Sequence, residues 1–104
     1  MRDYRSHTEH LLEKLKDPAR AQQYIDVALE EYESDGDLAG FLLALRRVVE
    51  AQGGLGKLSE ETDLNRSNLY AALSKEGNPR FETIGAILHS LGMRFSVERV
   101  AKAS

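Results

Sequence analysis

Polar side chains among residues 66–70 are of types that can read DNA bases. Arginine can donate two hydrogen bonds to the edge of guanine, and asparagine can pair in the same bidentate way with adenine. Arg66 and Asn68 supply these groups, with Ser67 and Tyr70 beside them near the N-terminal end of a predicted helix. We therefore predict that Arg66 and Asn68 contact bases.

A second group of polar residues suits contacts with phosphate oxygens, which position a protein on DNA without reading its sequence. Its members are Ser67, Lys75, Asn78 and Arg80. From Arg66 to Arg80 the chain carries three basic residues and one acidic residue, so this stretch is locally positive. The alternative interpretation is a polar helix face that binds nothing.

Two short helices joined by a tight turn are needed to position these side chains. Residues 55–73 have apolar residues at helical spacing on both sides of such a turn, which predicts a helix-turn-helix. Ser59 is small where the two helices would cross, and Asp63 is predicted to stop the first helix in a left-handed conformation. Asn65 is the predicted N-cap of the second helix, accepting hydrogen bonds from backbone N–H groups of its first turn.

The composition of the whole chain limits its class. At 104 residues, with 41% hydrophobic and 30% charged residues, it is long enough for one domain with a single core. The absence of cysteine excludes disulfides, thiol catalysis and cysteine-based zinc sites. No apolar run has the length of a signal peptide or a transmembrane helix, so a cytoplasmic location is expected.

The net charge of −3 is distributed unevenly along the chain. Residues 1–52 have 7 basic against 11 acidic residues, whereas residues 53–104 have 7 against 6. The first half includes a group of acidic residues that lack calcium-loop spacing: Asp26, Glu30, Glu31, Glu33, Asp35 and Asp37. This group is either a solvated face or a docking surface for a basic protein.

Three further helices are predicted before the helix-turn-helix. Ser6 and Glu9 match a capping box for the first helix. Asp17 caps the second, which is expected from Pro18 to about Glu33. The apolar stripe of the second helix is Ala21, Ile25, Ala28, Leu29 and Tyr32. The third helix, expected to be central, has the strongest stripe: Leu38, Phe41, Leu42, Leu45, Val48 and Val49.

A loop and a last helix are predicted after the helix-turn-helix. Pro79 ends the loop at residues 74–79 and prevents the preceding helix from continuing. The last helix is expected from Phe81 to Leu91, with Gly92 as its stop signal. Its predicted inward-facing residues are Phe81, Ile84, Ile87, Leu88 and Leu91.

The apolar pattern changes its period after the last helix. Met93, Phe95 and Val97 alternate with polar residues, as in a half-buried strand. A lone strand leaves its backbone N–H and C=O groups unpaired, and the simplest partner is the same strand in a second copy. We therefore predict a homodimer that uses Met93, Phe95 and Val97. The alternative is an extended tail packed on its own core.

Residue patterns for catalysis and metal binding are missing. His7 and His10 are three residues apart without a third ligand, and His89 is predicted on the surface. No nucleophile elbow or phosphate-binding glycine loop is found, and residues 53–56 are glycine-rich without a preceding strand. We predict no catalytic residues, no metal site and no cofactor, and thus not an enzyme.

These elements together predict a mainly α fold in a single domain. It is a bundle of five to six helices containing the helix-turn-helix, with one short C-terminal β-strand. Residues 1–52 form an N-terminal helical extension, residues 53–92 the helix-turn-helix core, and residues 93–100 the dimerisation strand.

Nearly all of residues 11–98 resembles the probable addiction-module antidote family, the HigA-like antitoxins with a lambda-repressor-like, Xre-type helix-turn-helix. The most specific segments are DLNRSNLY and, shortly after it, SKEGNPRF. The family commonly has glycine where this chain has Asp63. It commonly has an acidic residue where this chain has Ser67, and the difference implies a different operator preference.

The resemblance implies two roles. Such antidotes bind a partner toxin, typically a small basic RelE/ParE-like protein encoded beside them, and repress their own operon as dimers on a palindromic operator. The implied partners are double-stranded DNA, the toxin and a second copy of the chain, with no membrane. The alternative is a protein-binding antidote whose main role is toxin docking, with DNA binding secondary.

Overall fold

The computed structural model describes residues 4–101, with their side chains from residue 7 onward. Six α-helices follow one another in this part of the chain. They are α1 (Tyr4–Lys14), α2 (Pro18–Asp35), α3 (Leu38–Ala51), α4 (Gly54–Glu61), α5 (Arg66–Ala72) and α6 (Phe81–Ser90). The prediction of a mainly helical fold with five to six helices is confirmed.

The two helix starts predicted near the N-terminus have different outcomes. α1 begins at Tyr4, so Ser6 lies inside the helix and the predicted capping box is wrong. Residues 1–3, which precede α1, lie outside the described residues. Asp17 caps α2 as predicted, since its carboxylate accepts a hydrogen bond from the Ala19 amide at 3.2 Å and proline follows it.

The α3 helix is central and contacts α1, α2 and α4. Its buried residues are Phe41, Leu42, Ala44, Leu45, Val48 and Val49, each at most 6% exposed. Burial of one large aliphatic side chain contributes about 1.5–3 kcal/mol. Just beyond α3, the Gln52 amide donates hydrogen bonds to the carbonyl oxygens of Leu15 (2.8 Å) and Lys16 (3.1 Å). Gln52 thereby satisfies acceptors beyond the end of α1 and ties α1 to α3.

The apolar stripe of α2 is only partly buried. Ala21, Ile25 and Ala28 are at most 8% exposed, but Leu29 is 36% and Tyr32 is 40% exposed. The inward orientation expected of Leu29 and Tyr32 is therefore wrong. The last two turns of α2 after Ala28 contain no buried residue. A helical stripe is buried only along the part of the helix that has a neighbour to cover it.

An acidic turn joins α2 and α3. Gly36 has a φ of 72°, a left-handed conformation that glycine adopts without steric cost. Asp37 then caps α3 by accepting a hydrogen bond from the Gly40 amide at 3.4 Å.

The strand predicted from residue 93 is not formed. Within residues 4–101 no residue lies in a β-strand, and residues 93–100 are irregular after the left-handed Gly92 (φ 80°) that follows α6. The Met93 amide donates to the Leu88 carbonyl oxygen at 2.8 Å, and the Met93 side chain packs partly buried against the core. A strand requires a second strand for its ladder, and the described chain provides none.

An aromatic pair holds the C-terminal segment against α6. The rings of Phe81 and Phe95 stack with centroids 4.3 Å apart and planes 9° apart. Gly85 leaves room for this stack, because a Cβ there would lie 3.2 Å from the Phe95 ring. Phe81 is 74% exposed, so its predicted place in the core is wrong, whereas Ile84, Ile87 and Leu88 are buried as predicted. The segment thus packs on its own chain at Met93 and Phe95, while Val97 is 96% exposed.

Candidate nucleic-acid interface

The turn between α4 and α5 is closed by two hydroxyl groups. α4 ends at Thr62, which has an extended backbone (φ −122°, ψ 147°). The Thr62 hydroxyl donates to the Leu58 carbonyl oxygen at 2.9 Å, and the Ser59 hydroxyl donates to the Leu64 carbonyl oxygen at 2.8 Å. The helix is therefore capped by Thr62, one residue before the stop predicted at Asp63. Ser59 is more than a small residue, since its hydroxyl joins the helix to the turn.

Asn65 caps α5 as predicted. Its side-chain oxygen accepts hydrogen bonds from the amides of Ser67 (2.7 Å) and Asn68 (3.2 Å). α5 has only 7 residues, and helices of this length are marginal without capping and packing. The cap therefore fixes where α5 begins and which side chains stand on its first turn.

Replacement of Asn65 by alanine is expected to lower the free energy of unfolding by about 0.5–2 kcal/mol, because two amides lose their acceptor. Urea denaturation followed by circular dichroism measures this change. The matched control is Asn65→Asp, which keeps a side-chain oxygen at the same place and should retain most of the stability. Equal stability of Asn65→Ala and the wild-type chain would show that the cap does not matter.

The packing of α5 divides it into a buried and an exposed side. Leu69 and the following Leu73 are each 1% exposed and anchor the helix to the core. The four residues predicted to face DNA from this helix are all exposed: Arg66, Ser67, Asn68 and Tyr70. The structure thus exposes them to solvent on a helix whose other side is packed against the core.

The loop after α5 returns tightly over the end of that helix. The Ser74 hydroxyl donates to the Ala71 carbonyl oxygen at 2.8 Å, and the Gly77 amide donates to the Ser74 carbonyl oxygen at 3.0 Å. A Cβ on Gly77 would overlap the Ala72 carbonyl oxygen, so this close approach requires glycine. Lys75 and Asn78 are exposed on this loop.

Asn68 and Arg80 line the same groove between α5 and α6. The groove also includes Leu64, Leu69, Ala72, Glu82, Thr83 and Ala86. A predicted base contact and a predicted phosphate contact are therefore close together. The other predicted residues (Arg66, Ser67, Tyr70, Lys75 and Asn78) do not line this groove, although they are exposed on α5 and the loop after it.

The basic side chains on α5 and just after it (Arg66, Lys75 and Arg80) differ in whether an acidic residue pairs with them. The Arg80 guanidinium lies 3.5 Å from a Glu82 carboxylate oxygen, and the two side chains are 84% and 76% exposed. Such an exposed ion pair is weak, so Arg80 is still able to bind another anion. Among the described residues no ion pair includes Arg66 or Lys75, so their charges are not neutralised by this part of the chain.

Arg46 is a basic residue of this surface that the sequence did not reveal. Its guanidinium carbon lies 4.7 Å from the centroid of the Tyr70 ring, a cation–π contact between α3 and α5. Its Nε also lies 3.5 Å from a Glu50 carboxylate oxygen one helical turn away. The only sequence signal was an Arg–Glu pair at i,i+4 spacing on α3, which is common on solvated helices.

The described residues show neither a metal site nor a membrane helix. No three His, Asp or Glu side chains among them are grouped in a way that would hold a metal ion. His7, His10 and His89 are exposed. None of the helices in residues 4–101 is both long and apolar enough to span a bilayer.

Comparison with known proteins covers most of the chain. A family model described as "Probable addiction module antidote protein" matches residues 7–99. A Haemophilus influenzae protein, named only "Uncharacterized protein", is 27% identical over 79 residues, which cover 76% of this chain and 80% of that protein. No solved structure matches significantly. The chain belongs to the family of probable addiction module antidote proteins.

Proposed function

We propose that this antidote protein is a sequence-specific DNA-binding repressor of its own operon. In this proposal α4 and α5 act as a lambda-repressor-like helix-turn-helix of the HigA and Xre type. The supporting observation is the polar face of α5, where Arg66, Ser67 and Asn68 are exposed above a helix buried through Leu69. Arg66 and Asn68 would contact base edges in the major groove.

The phosphate contacts in this proposal surround α5. Ser67, Lys75, Asn78 and Arg80 would bind backbone oxygens on one side. Arg46 would extend the positive surface on the other side, since it lies against Tyr70. The extension at residues 1–52 thereby contributes to an interface that the sequence assigned to residues 53–92 alone.

An antidote acts on a toxin, and the family therefore implies a toxin partner for this chain. We propose a type II toxin–antitoxin module in the cytoplasm, with a small basic toxin of the RelE/ParE type. The acidic first half supports this partner, because complementary charge speeds and orients association. Membership of an antidote family favours a regulatory protein over an enzyme.

The repressor proposal includes a homodimer on a palindromic operator. A twofold dimer places two copies of α5 on two half-sites of the DNA. Phe95 and Val97 are 39% and 96% exposed in a segment whose residues 94–101 make no backbone–backbone hydrogen bond with other described residues. We propose this segment as the dimer contact. Met93 would contribute less than the sequence indicated, since it packs on its own core.

Substitution of Val97 by aspartate is expected to convert the dimer into a monomer, because it places a carboxylate in each half of the contact. Light scattering measures the change as a halving of the mass. The fold should survive, since Val97 is 96% exposed. Val97→Thr keeps the branched shape and should remain dimeric. An unchanged mass for the aspartate variant would reject this segment as the dimer contact.

Binding of the purified chain to the duplex upstream of its own gene tests the repressor proposal. Fluorescence anisotropy should show roughly 10³-fold or tighter preference over a scrambled duplex of the same composition. The affinity should fall as salt rises, since phosphate contacts release counterions. Equal affinity for the two duplexes would contradict a sequence-specific repressor.

A second candidate function is a protein-binding antidote in which DNA contact is secondary. The observation in its favour is the charge of residues 1–52, where 11 acidic residues oppose 7 basic ones. Toxin neutralisation by a chain that does not distinguish operator from scrambled DNA would support this candidate over the repressor.

A further inference from the structure

The α2 and α3 helices leave an open groove beside their shared core. Its volume is about 260 Å³, and it is lined by Tyr24, Val27, Ala28 and Glu31 of α2 and by Gly40, Leu43, Ala44 and Arg47 of α3. Ala28, Gly40 and Ala44 have little or no side chain, which leaves space between the helices. The groove has the dimensions to accept a protruding side chain.

The rim of this groove exposes apolar side chains. Val27 is 52% exposed on α2, and Leu43 is 46% exposed on α3. Solvent-facing positions of amphipathic helices are ordinarily polar, so two aliphatic residues across one groove mark a surface suited to a partner. At one end, the Arg47 guanidinium donates a hydrogen bond to the Tyr24 hydroxyl at 3.1 Å, which adds a polar edge.

The charges near the groove indicate which class of partner it fits. Between Arg20 and Arg46 the chain has no basic residue and six acidic ones, all exposed. Glu31 lines the groove itself. The acidic α2 side of the groove disfavours the DNA backbone, and the basic residue that lines the groove, Arg47, lies on the α3 side. A second copy is disfavoured, because a twofold contact would set the acidic α2 of one copy beside the acidic α2 of the other.

We infer that the α2–α3 groove docks a basic protein segment. An apolar side chain of that segment enters between Val27 and Leu43, and its lysine or arginine side chains lie near Glu31. This inference rests on the proposed function, which makes the basic toxin the partner. It assigns toxin binding to a groove formed by the N-terminal extension, on residues distinct from those of α5 that are assigned to DNA.

Two lysine substitutions on the groove test the apolar contact. The probe is the small basic protein encoded beside this chain, titrated into the full-length chain by calorimetry. Val27→Lys and Leu43→Lys should each weaken binding about 30-fold or more, the loss typical of a central interface residue. Leu29→Lys is the matched control, because Leu29 lies on the same helix but lines a different groove beside residues 92–98. It should bind as the wild-type chain does.

Two charge reversals test the electrostatic part. Glu31→Lys and Asp26→Lys change the net charge equally on the same helix, but only Glu31 lines the α2–α3 groove, and Asp26 lines the other. Glu31→Lys should weaken the complex at least tenfold more than Asp26→Lys. All variants should keep the far-ultraviolet circular dichroism and the operator affinity of the wild-type chain.

The outcomes distinguish a failure of the groove assignment from a failure of the proposed function. If the wild-type chain binds the neighbouring protein and Val27→Lys and Leu43→Lys bind it equally well, the groove assignment is overturned while the toxin partner stands. If Leu29→Lys and Asp26→Lys lose more affinity for the neighbouring protein than the variants of the α2–α3 groove do, the assignment is overturned in favour of the other groove. If the wild-type chain itself does not bind, the proposed toxin partner and the groove assignment fall together, whereas DNA repression remains.

Discussion

Replacement of Arg66 by alanine is expected to weaken binding to the operator about 5- to 150-fold, which corresponds to roughly 1–3 kcal/mol. The reason is the loss of a bidentate contact with a base that only a planar guanidinium makes well. Discrimination at that base should relax at the same time. Anisotropy titrations with the operator and with single-base variants measure both effects. The side chain is exposed, so the fold should be unaffected.

The matched comparison for Arg66 is Lys75→Ala. Lys75 is exposed on the loop after α5 and is assigned to a phosphate. Its loss should weaken binding to all duplexes alike and lower the salt dependence by about one released counterion. If Arg66→Ala binds the operator as tightly as the wild-type chain, Arg66 does not read a base and the assignment of α5 fails.

Replacement of Gly77 by alanine is expected to have the largest effect on stability among changes near the proposed DNA surface. The added Cβ would overlap the Ala72 carbonyl oxygen and lie 2.8 Å from that of Ala71, and both belong to the backbone. Backbone atoms move only if the end of α5 unwinds, so we expect a loss of about 1–3 kcal/mol. Each kcal/mol should lower the melting temperature by about 4–8 °C.

The effect of Gly77→Ala should extend to DNA binding. Gly77 holds the loop that carries Lys75 and Asn78, so its displacement moves predicted phosphate contacts. Gly56→Ala is the control, because a Cβ there meets no atom within 4 Å and lies inside α4. Alanine is the better helix former, and this control should gain about 0.5–1 kcal/mol. Equal melting temperatures for Gly77→Ala and the wild-type chain would contradict the close approach.

Features that depend on neighbours in the chain were predictable from the sequence. The caps at Asp17 and Asn65 form as expected, because each involves one side chain and amides two or three residues away. The stop at Gly92 is of the same kind, since only the backbone of its own turn decides it. The helices that carry the proposed DNA surface follow from such local rules.

Features that depend on distant neighbours were not predictable. Phe81 continues an apolar stripe, yet it is exposed and its ring stacks on Phe95 of the C-terminal segment instead of entering the core. Arg46 and Tyr70 are far apart in sequence and meet only when α3 and α5 are packed. Thr62, rather than Asp63, ends α4 because its hydroxyl has carbonyl and amide partners within the turn.

The apolar alternation at residues 93–97 predicted a strand that does not form. A period of two predicts which side chains share a face if the backbone pairs with another strand, but it does not supply that strand. In the described chain Phe95 stacks on Phe81 and Val97 is exposed. The same alternation therefore occurs here in an irregular segment that is not paired with a strand. Whether a second copy meets it is decided by the Val97→Asp measurement.

Footprinting of the chain on its own promoter tests whether two copies of α5 read two half-sites. Two protected stretches related by a twofold axis are expected, with centres about 34–36 Å apart, or one helical turn. Arg66→Ala should lose this protection at concentrations where the wild-type chain is saturated. A single protected stretch, or protection that is the same on unrelated DNA, would show that two copies of α5 do not read a palindromic operator.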